Sequence, residues 1–248
     1  MLELNKLSKK YFVQPNPITV FEGLNMSIKP GEFVALVGPS GCGKSTLLKI
    51  ISGLSQQTSG IILTNGHSIE GTHKSRGMVF QNGALFPWLK VKDNIAFGLN
   101  LSQTTEVEKT KVIDHYLNIT GLKDFANYYP KNLSGGMQQR VAIARTLANN
   151  PEILLMDEPF GALDNQTRGK MQEFLTELWE KENKTILFVT HDVAEAVFLA
   201  DTVYALSPRP MKVKKVFKIP FPRPRRHELK KSQEFFKFKL DVEKELEN

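Results

Sequence analysis

The chain has 248 residues, of which 41% are hydrophobic and 24% are charged, so it can bury one sizeable core without disulfides or metal ions. Its single cysteine cannot form an internal disulfide, and no apolar run approaches the roughly 18 residues of a membrane-spanning helix. The first residues also lack the continuous apolar stretch of a secretory signal. These features predict a cytoplasmic protein that does not itself form a membrane channel.

The net charge of +7 is concentrated near the C-terminal end of the sequence. Residues 209–239 contain twelve Lys and Arg against two Glu, a net of +10, which leaves −3 for the remainder. This distribution disfavours a nucleic-acid-binding domain, because such a domain usually carries its basic face on the folded core. The basic tail, residues 209–248, is predicted either to lie beside an anionic membrane or to remain solvated and partly disordered.

A phosphate-binding loop is the first strong motif in chain order. Residues 33–37 (FVALV) predict a strand, and apolar residues at near-helical spacing from 47 to 54 predict a helix. The intervening GPSGCGKST satisfies GxxxxGK[ST] in full: its glycines let backbone N–H groups face one anion, Lys44 can reach the β and γ phosphates, and Ser45 can ligate Mg²⁺. The predicted nucleotide-binding residues are Gly38, Pro39, Ser40, Gly41, Cys42, Gly43, Lys44, Ser45 and Thr46.

The middle of the chain predicts short strands followed by helices. Residues 61–63 and 77–81 are typical of strands, which we expect to form a small antiparallel layer beside a main sheet. From about 99 to 149 the composition becomes helical, with the apolar residues of 112–119 on one face and Gly121 as a stop. This segment predicts a helical insertion.

Two later apolar runs, residues 153–156 and 186–189, are typical of buried parallel strands. The helical segment 166–182 separates them, so strands and helices alternate along this part of the chain. The alternation predicts an α/β fold with a mostly parallel core sheet.

Two adjacent carboxylates, Asp157 and Glu158, follow the first of these runs. Asp157 is suited to hold Mg²⁺, and Glu158 is suited to orient or deprotonate an attacking water. Adjacent acids at a strand end are common in solvated loops, so this prediction depends on their occurrence together with Lys44 and Ser45.

A serine and two glycines occur in the segment LSGGMQQR, residues 133–140. A serine hydroxyl and bare backbone N–H groups at a helix start can bind a phosphate. With the other motifs in this order, the chain resembles the ATP-binding subunits of ATP-binding cassette (ABC) transporters, whose signature is LSGGQ; here Met137 replaces the final Gln. The resemblance implies that the segment binds ATP held by a second copy of the chain, through Leu133, Ser134, Gly135, Gly136, Met137 and Gln138.

The resemblance also implies roles for residues that would be unremarkable alone. Gln81 would reach the metal or the attacking water and sense the permease. His191, which follows a predicted strand, would contact the γ phosphate and steady Glu158. Asp164 belongs to the segment through which the two subunits of such an assembly communicate.

Two segments that contain aromatic residues resemble further binding surfaces of this family. Tyr11 resembles the residue that stacks on adenine, although Tyr11 or the adjacent Phe12 could instead belong to the core. A segment after Gln81 resembles the permease-docking surface of importer ATPases, and packing within the helical subdomain is the alternative for its residues. The docking residues would be Phe86, Pro87, Trp88 and Leu89.

The resemblance covers about residues 2–219 and implies a P-loop NTPase core of α/β class, with a mostly parallel sheet, a small antiparallel β layer and a helical subdomain. We expect a single ABC ATPase domain at residues 1–220. Within it, a RecA-like core would span about 1–82 and 150–208, and the helical subdomain about 83–149. The basic tail would follow.

Residues 206–225 (LSPRPMKVKKVFKIPFPRPR) are similar to the C-terminal stretch of the nitrate, sulfonate and taurine group of importer ATPases, which also includes carriers of thiamine-precursor pyrimidines. The implied function is ATP hydrolysis, with ATP and Mg²⁺ as cofactors, that energises uptake of a small solute through a separate permease. A nonmembrane ABC ATPase acting on nucleic acid or a protein machine is the main alternative, and a noncatalytic nucleotide sensor is disfavoured because Lys44, Glu158 and His191 are intact.

The implied partners are a second ATP-binding subunit in a homodimer, transmembrane permease subunits and an external solute-binding protein, with no nucleic acid. The implied location is the cytoplasmic face of a bacterial cell membrane, where the chain would be peripheral. The transported solute is not readable from this chain, because specificity in such assemblies belongs to the permease and the binding protein.

Overall fold

The computed structural model describes residues 2–12, 14–81 and 83–247. In chain order the strands are β1 (Leu2–Tyr11), β2 (Ile18–Ile28), β3 (Phe33–Val37), β4 (Ser59–Thr64), β5 (His67–Ser68), β6 (Arg76–Val79), β7 (Ile153–Asp157), β8 (Thr185–Thr190), β9 (Thr202–Leu206) and β10 (Val213–Lys218). The α-helices are α1 (Lys44–Ile51), α2 (Val91–Ala96), α3 (Glu106–Ile119), α4 (Gly135–Leu147), α5 (Asn165–Glu182), α6 (Val193–Leu199) and α7 (Gln233–Glu247). Among the described residues, no helix has both the length and the hydropathy needed to cross a bilayer.

These elements form two compact units. The first unit comprises Met1–His73 and Asn183–Asn248, and the second comprises Lys74–Glu182. The predicted helical subdomain, residues 83–149, falls within the second unit. The predicted core segment 150–208 is divided between the two units.

The first unit contains an antiparallel sheet with the strand order β2-β1-β4-β5. Along β2, Leu24, Met26 and Ile28 are buried whereas Asn25 and Ser27 are exposed. This alternation is typical of a sheet with one face on the core and the other in water. The sheet is the small antiparallel layer that the sequence predicts, and the predicted strand at 61–63 lies in β4.

A second group of strands in the first unit is mostly parallel. β3 pairs parallel with both β8 and β9, and β10 pairs antiparallel with β9. Every residue of β3, β8 and β9 is buried. Strands covered on both faces need apolar residues at every position, which explains their continuous apolar sequences. The predicted α/β class with a parallel core is confirmed.

The expectation that residues 77–81 belong to the antiparallel layer is wrong. β6 pairs parallel with β7, with Val79 opposite Met156. The connection between these strands passes through α2, α3 and α4, and a long crossover of this kind lets the second strand run in the same direction as the first. Strand direction follows from this connection, not from the side chains of a four-residue strand.

In the second unit, α3 is the longest helix between β6 and β7, and it begins at a capping box. Thr105 Oγ1 accepts a hydrogen bond from the Glu108 N–H at 3.3 Å, and the Glu108 carboxylate accepts one from the Thr105 N–H at 3.0 Å. The helix ends before Gly121, which has a φ of +67° and stands where the sequence predicts a stop.

The C-terminal residues, predicted as a basic tail, form a strand and a helix of the first unit. β10 pairs with β9, and α7 buries Phe235 and Val242. Phe221, between them, packs against Phe235 and Phe238 with ring centroids 5.7 and 5.8 Å apart. Aromatic packing therefore fixes the position of a segment whose charge alone indicates a solvated chain.

Arg225 attaches the connection between β10 and α7 to α6. It is only 5% exposed, and its guanidinium donates to the carbonyls of Val197, Phe198 and Ala200 at 3.3, 3.0 and 2.7 Å. Burial lowers the pKa of Arg225 to about 10, so the side chain is charged at neutral pH. Since the last carbonyls of a helix have no partners within it, this side chain satisfies groups that would otherwise be buried unpaired.

Replacing Arg225 with Met is expected to lower the free energy of unfolding by about 2 kcal/mol, because the α6 carbonyls lose their buried donor. Urea denaturation followed by circular dichroism measures the change. The adjacent Arg226 is exposed and provides the matched control: Arg226→Met should change the same quantity by less than about 0.5 kcal/mol. Equal stabilities of the two variants would contradict the capping role of Arg225.

Candidate nucleotide site

The predicted phosphate loop connects β3 to α1 in the first unit. Gly41 and Gly43 have φ values of +74° and +127°, which residues with side chains rarely adopt. A Cβ on Gly43 would also lie 2.5 Å from Val20 Cγ1, so both the backbone and the available space require glycine there. The strand, loop and helix thus have the order that the motif requires, with the N–H groups at the start of α1 available to an anion.

Lys44 is the first residue of α1 and is only 4% exposed. Its Nζ donates to the carbonyls of Gly38 at 2.7 Å and Pro39 at 3.0 Å. Ser45, next in the chain, is exposed. The ammonium charge therefore lies against the backbone of the loop, where it can pair with a phosphate.

His191 lies at the same edge of the sheet as the phosphate loop. The last residues of β3 and β8 pair across the parallel strands, so Gly38 and His191 leave the sheet side by side. His191 is exposed, and the following Asp192 caps α6 by accepting a hydrogen bond from the Glu195 N–H at 3.1 Å. The first unit thus brings together the phosphate loop and His191, two of the predicted parts of the site.

Tyr11 is the last residue of β1 in the same unit and is 42% exposed, while Phe12 is 83% exposed. The Lys9 ammonium lies 4.6 Å from the centre of the Tyr11 ring. Neither aromatic residue belongs to the core, so the Tyr11 ring is accessible to a planar group such as adenine.

Gln81, Asp157 and Glu158 lie at one sheet edge of the second unit. Asp157 ends β7 and Gln81 follows β6 by two residues; these strands are parallel, so both residues lie at the same edge. A Cβ on Gly161 would lie 3.4 Å from Gln81 Nε2 and 3.8 Å from Glu158 Oε2. The amide of Gln81 and the carboxylate of Glu158 are therefore neighbours.

Glu158 has a left-handed backbone, with a φ of +41°. This conformation is uncommon for a residue with a side chain and costs about 1–3 kcal/mol, and such residues cluster at functional sites. The Gly161 N–H donates to the Glu158 carbonyl at 3.1 Å and closes the turn. The chain therefore turns sharply at Glu158, directly after β7 ends.

The donor groups predicted for Mg²⁺ are chemically suitable. Ser45 offers an exposed hydroxyl and Asp157 a half-buried carboxylate, both hard oxygen donors of the kind that Mg²⁺ prefers. Within the described residues, no group of three or more His, Cys, Asp or Glu is placed to hold a metal ion. Mg²⁺ commonly takes only one or two carboxylates from a protein and completes its shell with phosphates and water.

The signature segment lies at the start of α4 in the second unit. Ser134 caps the helix, accepting a hydrogen bond from the Met137 N–H at 3.3 Å, and both Ser134 and Gly135 are exposed. Gly136 is buried, and a Cβ there would lie 2.7 Å from Thr167 Cγ2. The two glycines therefore differ: Gly135 faces solvent at the helix start, whereas Gly136 also permits close packing.

Gln138 has a local structural role. Its Nε2 donates to the carbonyls of Pro130 at 3.0 Å and Leu133 at 3.2 Å, which holds the turn before α4. Met137 is half-buried and so offers less contact area than an exposed side chain. Within the signature segment, Ser134 and Gly135 are thus the groups most open to a ligand.

Asp164 caps α5, beside the signature segment. Its Oδ1 accepts hydrogen bonds from the N–H groups of Gln166 and Thr167, each at 3.0 Å, and bonding to Thr167 holds the pKa of Asp164 below its usual value. A Cβ on Gly135 would lie 3.2 Å from Leu163 Cδ2. The segment around Asp164 therefore packs against the start of α4.

The predicted docking segment is held by the fully buried Asn94. Asn94 accepts from the Phe86 N–H at 2.9 Å and donates to the carbonyls of Phe86 at 3.1 Å and Leu89 at 3.0 Å. Trp88 is 69% exposed, so core packing does not account for this residue, whereas Phe86 is half-buried.

Sequence reasoning missed Arg145, which joins α4 to the segment after Gln81. Its guanidinium donates to the carbonyls of Ala84 at 2.8 Å and Gly83 at 2.9 Å and lies 5.2 Å from the centre of the Phe86 ring. It lines a cavity of about 580 Å³ whose apolar walls include Phe86 and Phe97. A charged residue inside the apolar helix sequence VAIARTL was the available signal.

Comparison with known proteins gives consistent matches over most of the chain. The family described as ABC transporter matches residues 21–161. The nitrate import ATP-binding protein NrtD of Synechocystis is 45% identical over 97% of this chain and 93% of its own length. The taurine import ATP-binding protein TauB of Roseobacter denitrificans is 47% identical over 89% of this chain and 82% of its own length. Among solved structures, the dimeric ATP-binding cassette MJ0796 in a post-hydrolysis state with ADP and Pi has a TM-score of 0.78 and 35% identity, covering 90% of this chain and 100% of that one.

Proposed function

The chain belongs to the ABC transporter family and is an ATPase of that family, and from this premise we propose that it is the ATP-hydrolysing subunit of an importer. The observation that carries the proposal is the phosphate loop: Lys44 is buried against the loop backbone, and His191 leaves the same sheet edge. The names of the relatives favour a small solute of the nitrate, sulfonate and taurine kind. They do not favour a nonmembrane ATPase that acts on nucleic acid or a protein machine.

We propose these roles for the residues of the nucleotide site. Lys44 and the loop N–H groups bind the β and γ phosphates of ATP. Ser45 and Asp157 hold Mg²⁺, which supplies positive charge against the phosphates when it is bound. Tyr11 stacks on the adenine.

Hydrolysis is assigned to three side chains. Glu158 orients the attacking water and accepts its proton, so that an O–H bond breaks as the water oxygen attacks the γ phosphorus. The bond from the γ phosphorus to the oxygen bridging the β and γ phosphates breaks, and ADP leaves with that oxygen. Gln81, the neighbour of Glu158 in the second unit, orients the same water through its amide. His191 donates a hydrogen bond to the γ phosphate and steadies Glu158.

The signature segment is proposed to act on the ATP of a second copy. Ser134 and Gly135 present a hydroxyl and backbone N–H groups at the exposed start of α4, which is the chemistry of an anion site. A symmetric homodimer would then contain two ATP molecules, each bound by the loop of one copy and the signature of the other. The dimeric form of the MJ0796 cassette supports this arrangement.

A permease and an external solute-binding protein are proposed as the other partners, with the chain peripheral on the cytoplasmic face of a bacterial cell membrane. The support is the docking segment, where Asn94 is hydrogen-bonded to the backbone of Phe86 and Leu89 and the Trp88 ring is exposed. A large exposed aromatic side chain on a fixed segment is typical of an interface anchor.

The test is reconstitution of the chain in proteoliposomes with a permease and solute-binding protein from neighbouring genes. ATPase activity should rise when taurine or nitrate is added to a matching binding protein. Trp88→Ala should remove this stimulation and leave the activity of the isolated chain unchanged. Val107→Ala is the control, because Val107 is 66% exposed on α3 and lies outside the docking segment.

Two results would overturn the proposal. One is an ATPase activity that depends on added nucleic acid and is recovered without any multispanning membrane protein. The other is equal stimulation of ATPase activity by the solute in the Trp88 and Val107 variants, which would mean that the docking segment does not contact the permease.

A further inference from the structure

The loop between β9 and β10, residues 207–212, lies against the phosphate loop. Its sequence is SPRPMK, and its two prolines restrict the backbone. The loop is closed by the Ser207 N–H, which donates to the Lys212 carbonyl at 2.9 Å, and is fixed to β2 by the Met211 N–H, which donates to the Val20 carbonyl at 2.7 Å. This β9–β10 loop is therefore a defined structure and not a loose connection.

The β9–β10 loop and the end of β9 meet the phosphate loop at several points. A Cβ on Gly38 would lie 3.1 Å from the Leu206 carbonyl oxygen, and Met211 Sδ lies 3.9 Å from Cys42 Sγ. Between these two contacts, Arg209 Nε donates to the Gly41 carbonyl at 2.8 Å. Of these contacts, that of Arg209 is a hydrogen bond from a charged side chain.

Arg209 is the second side-chain cation that donates to a carbonyl of the phosphate loop. Lys44 already holds the carbonyls of Gly38 and Pro39, and Arg209 holds that of Gly41. Gly41 has a φ of +74° and no side chain, so its own conformational preference is weak. The next N–H, that of Cys42, donates to the Pro39 carbonyl at 3.3 Å. Because the C=O and the following N–H of a trans peptide point in opposite directions, the hydrogen bond from Arg209 and this bond within the loop hold the same peptide unit.

The charge of Arg209 is placed beside the same loop. Its Nη2 lies 3.4 Å from where a Cβ on Gly41 would be, and the residue is exposed. Across residues 2–12, 14–81 and 83–247, neither terminal nitrogen has a hydrogen-bond or acidic partner. A guanidinium with free N–H groups has the chemistry of a phosphate-binding side chain.

We propose that Arg209 is a positioning residue for ATP, on the basis that this loop binds the nucleotide phosphates as proposed above. It holds the Gly41 carbonyl outward, where that oxygen does not repel phosphate oxygens, and it adds positive charge at the loop. Its effect is therefore on the affinity for the triphosphate. The adenosine part of the nucleotide gains nothing from it.

The test compares Arg209→Ala, Arg209→Lys and Arg209→Gln with the parent chain by steady-state ATPase kinetics. Arg209→Ala should raise the KM for ATP about tenfold with little change in kcat, because the lost interactions are made in the ground state as well. Arg209→Lys should recover part of the affinity through its charge, and Arg209→Gln should recover less. Adenosine, used as a competitive inhibitor, should bind all variants equally.

Lys237→Ala is the matched control, because Lys237 is an exposed cation on α7 of the same unit and its loss changes the net charge equally. Its KM should match that of the parent chain. An unchanged KM in Arg209→Ala would overturn the role of Arg209, and so would equal weakening of ATP and adenosine together with a lower thermal midpoint. A parent chain that neither binds nor hydrolyses ATP would instead overturn the proposed function itself.

Discussion

Glu158→Gln is expected to reduce ATP turnover by about 10²–10⁴-fold while ATP still binds. The amide is nearly the same size as the carboxylate but cannot accept the proton of the attacking water. The strained turn is a backbone feature, with a φ of +41°, and stays compatible with glutamine to the extent that it is with glutamate. Release of phosphate under single-turnover conditions measures the loss.

The same variant should accumulate as a dimer when ATP and Mg²⁺ are present, because hydrolysis is the step proposed to separate the two copies. Size-exclusion chromatography with light scattering measures this state directly. Glu152→Gln is the control: Glu152 is exposed just before β7, and its variant should turn over ATP normally and not accumulate as a dimer.

Either of two observations would contradict the proposed role of Glu158. Near-normal turnover in Glu158→Gln would mean that another group activates the water. A variant that binds ATP but remains monomeric at high concentrations of ATP and Mg²⁺ would exclude the arrangement with two ATP molecules between two copies.

Mixing two inactive variants, Lys44→Ala and Ser134→Asp, should restore ATPase activity. Lys44→Ala removes the cation of the phosphate loop, and Ser134→Asp places a negative charge where the signature would meet the γ phosphate. Aspartate is as good a helix cap as serine, so α4 should keep its start. Each variant alone should therefore be folded and almost inactive.

A mixed dimer of these variants contains one site with both defects and one site with neither. With equal amounts of the two chains, half of the dimers are mixed and half of their sites are intact, so about a quarter of the parent activity should return. ATPase assays across a range of mixing ratios should show the maximum at equal amounts.

Ser134→Asn is the control for this experiment, because asparagine also caps the helix but adds no charge. It should retain far more activity than Ser134→Asp. If the mixture shows only the sum of the two separate activities, the signature does not act on the nucleotide of the other copy. Substantial ATPase activity of Ser134→Asp by itself would mean that Ser134 does not contact the γ phosphate.

The local features of the site could be read from the sequence because they depend on local chemistry. Gly43 must be glycine for its backbone angle and for the space beside Val20, and the motif requires glycine at that position. The end of β3 and the start of α1 follow from an apolar run and a helical repeat on either side of the loop. The buried strands β7 and β8 were likewise visible as continuous apolar runs.

Other features could not be read because they depend on pairing between distant residues. The direction of β6 follows from its long connection to β7, and its own residues carry no such information. Arg145 and Arg209 each donate to backbone carbonyls that lie far away along the chain, and residue type alone does not identify those partners. The roles proposed for Gln81 and His191 came from family resemblance, since a lone glutamine or histidine carries little signal.

By itself, the sequence determined the strand and helix that flank the glycine-rich loop and the buried strands at 153–156 and 186–189, since glycine geometry and apolar periodicity act over a few neighbouring residues. The family was indicated by the resemblance of its motifs. Only the tertiary structure decided the position of the basic C-terminal residues. Their charge indicated a solvated segment, but the buried guanidinium of Arg225 donates to two carbonyls of α6 and to that of the following Ala200, and Phe221 packs against Phe235 and Phe238 of α7. A charged side chain can be buried where the fold supplies its hydrogen-bond partners, and those partners are known only once the fold is known.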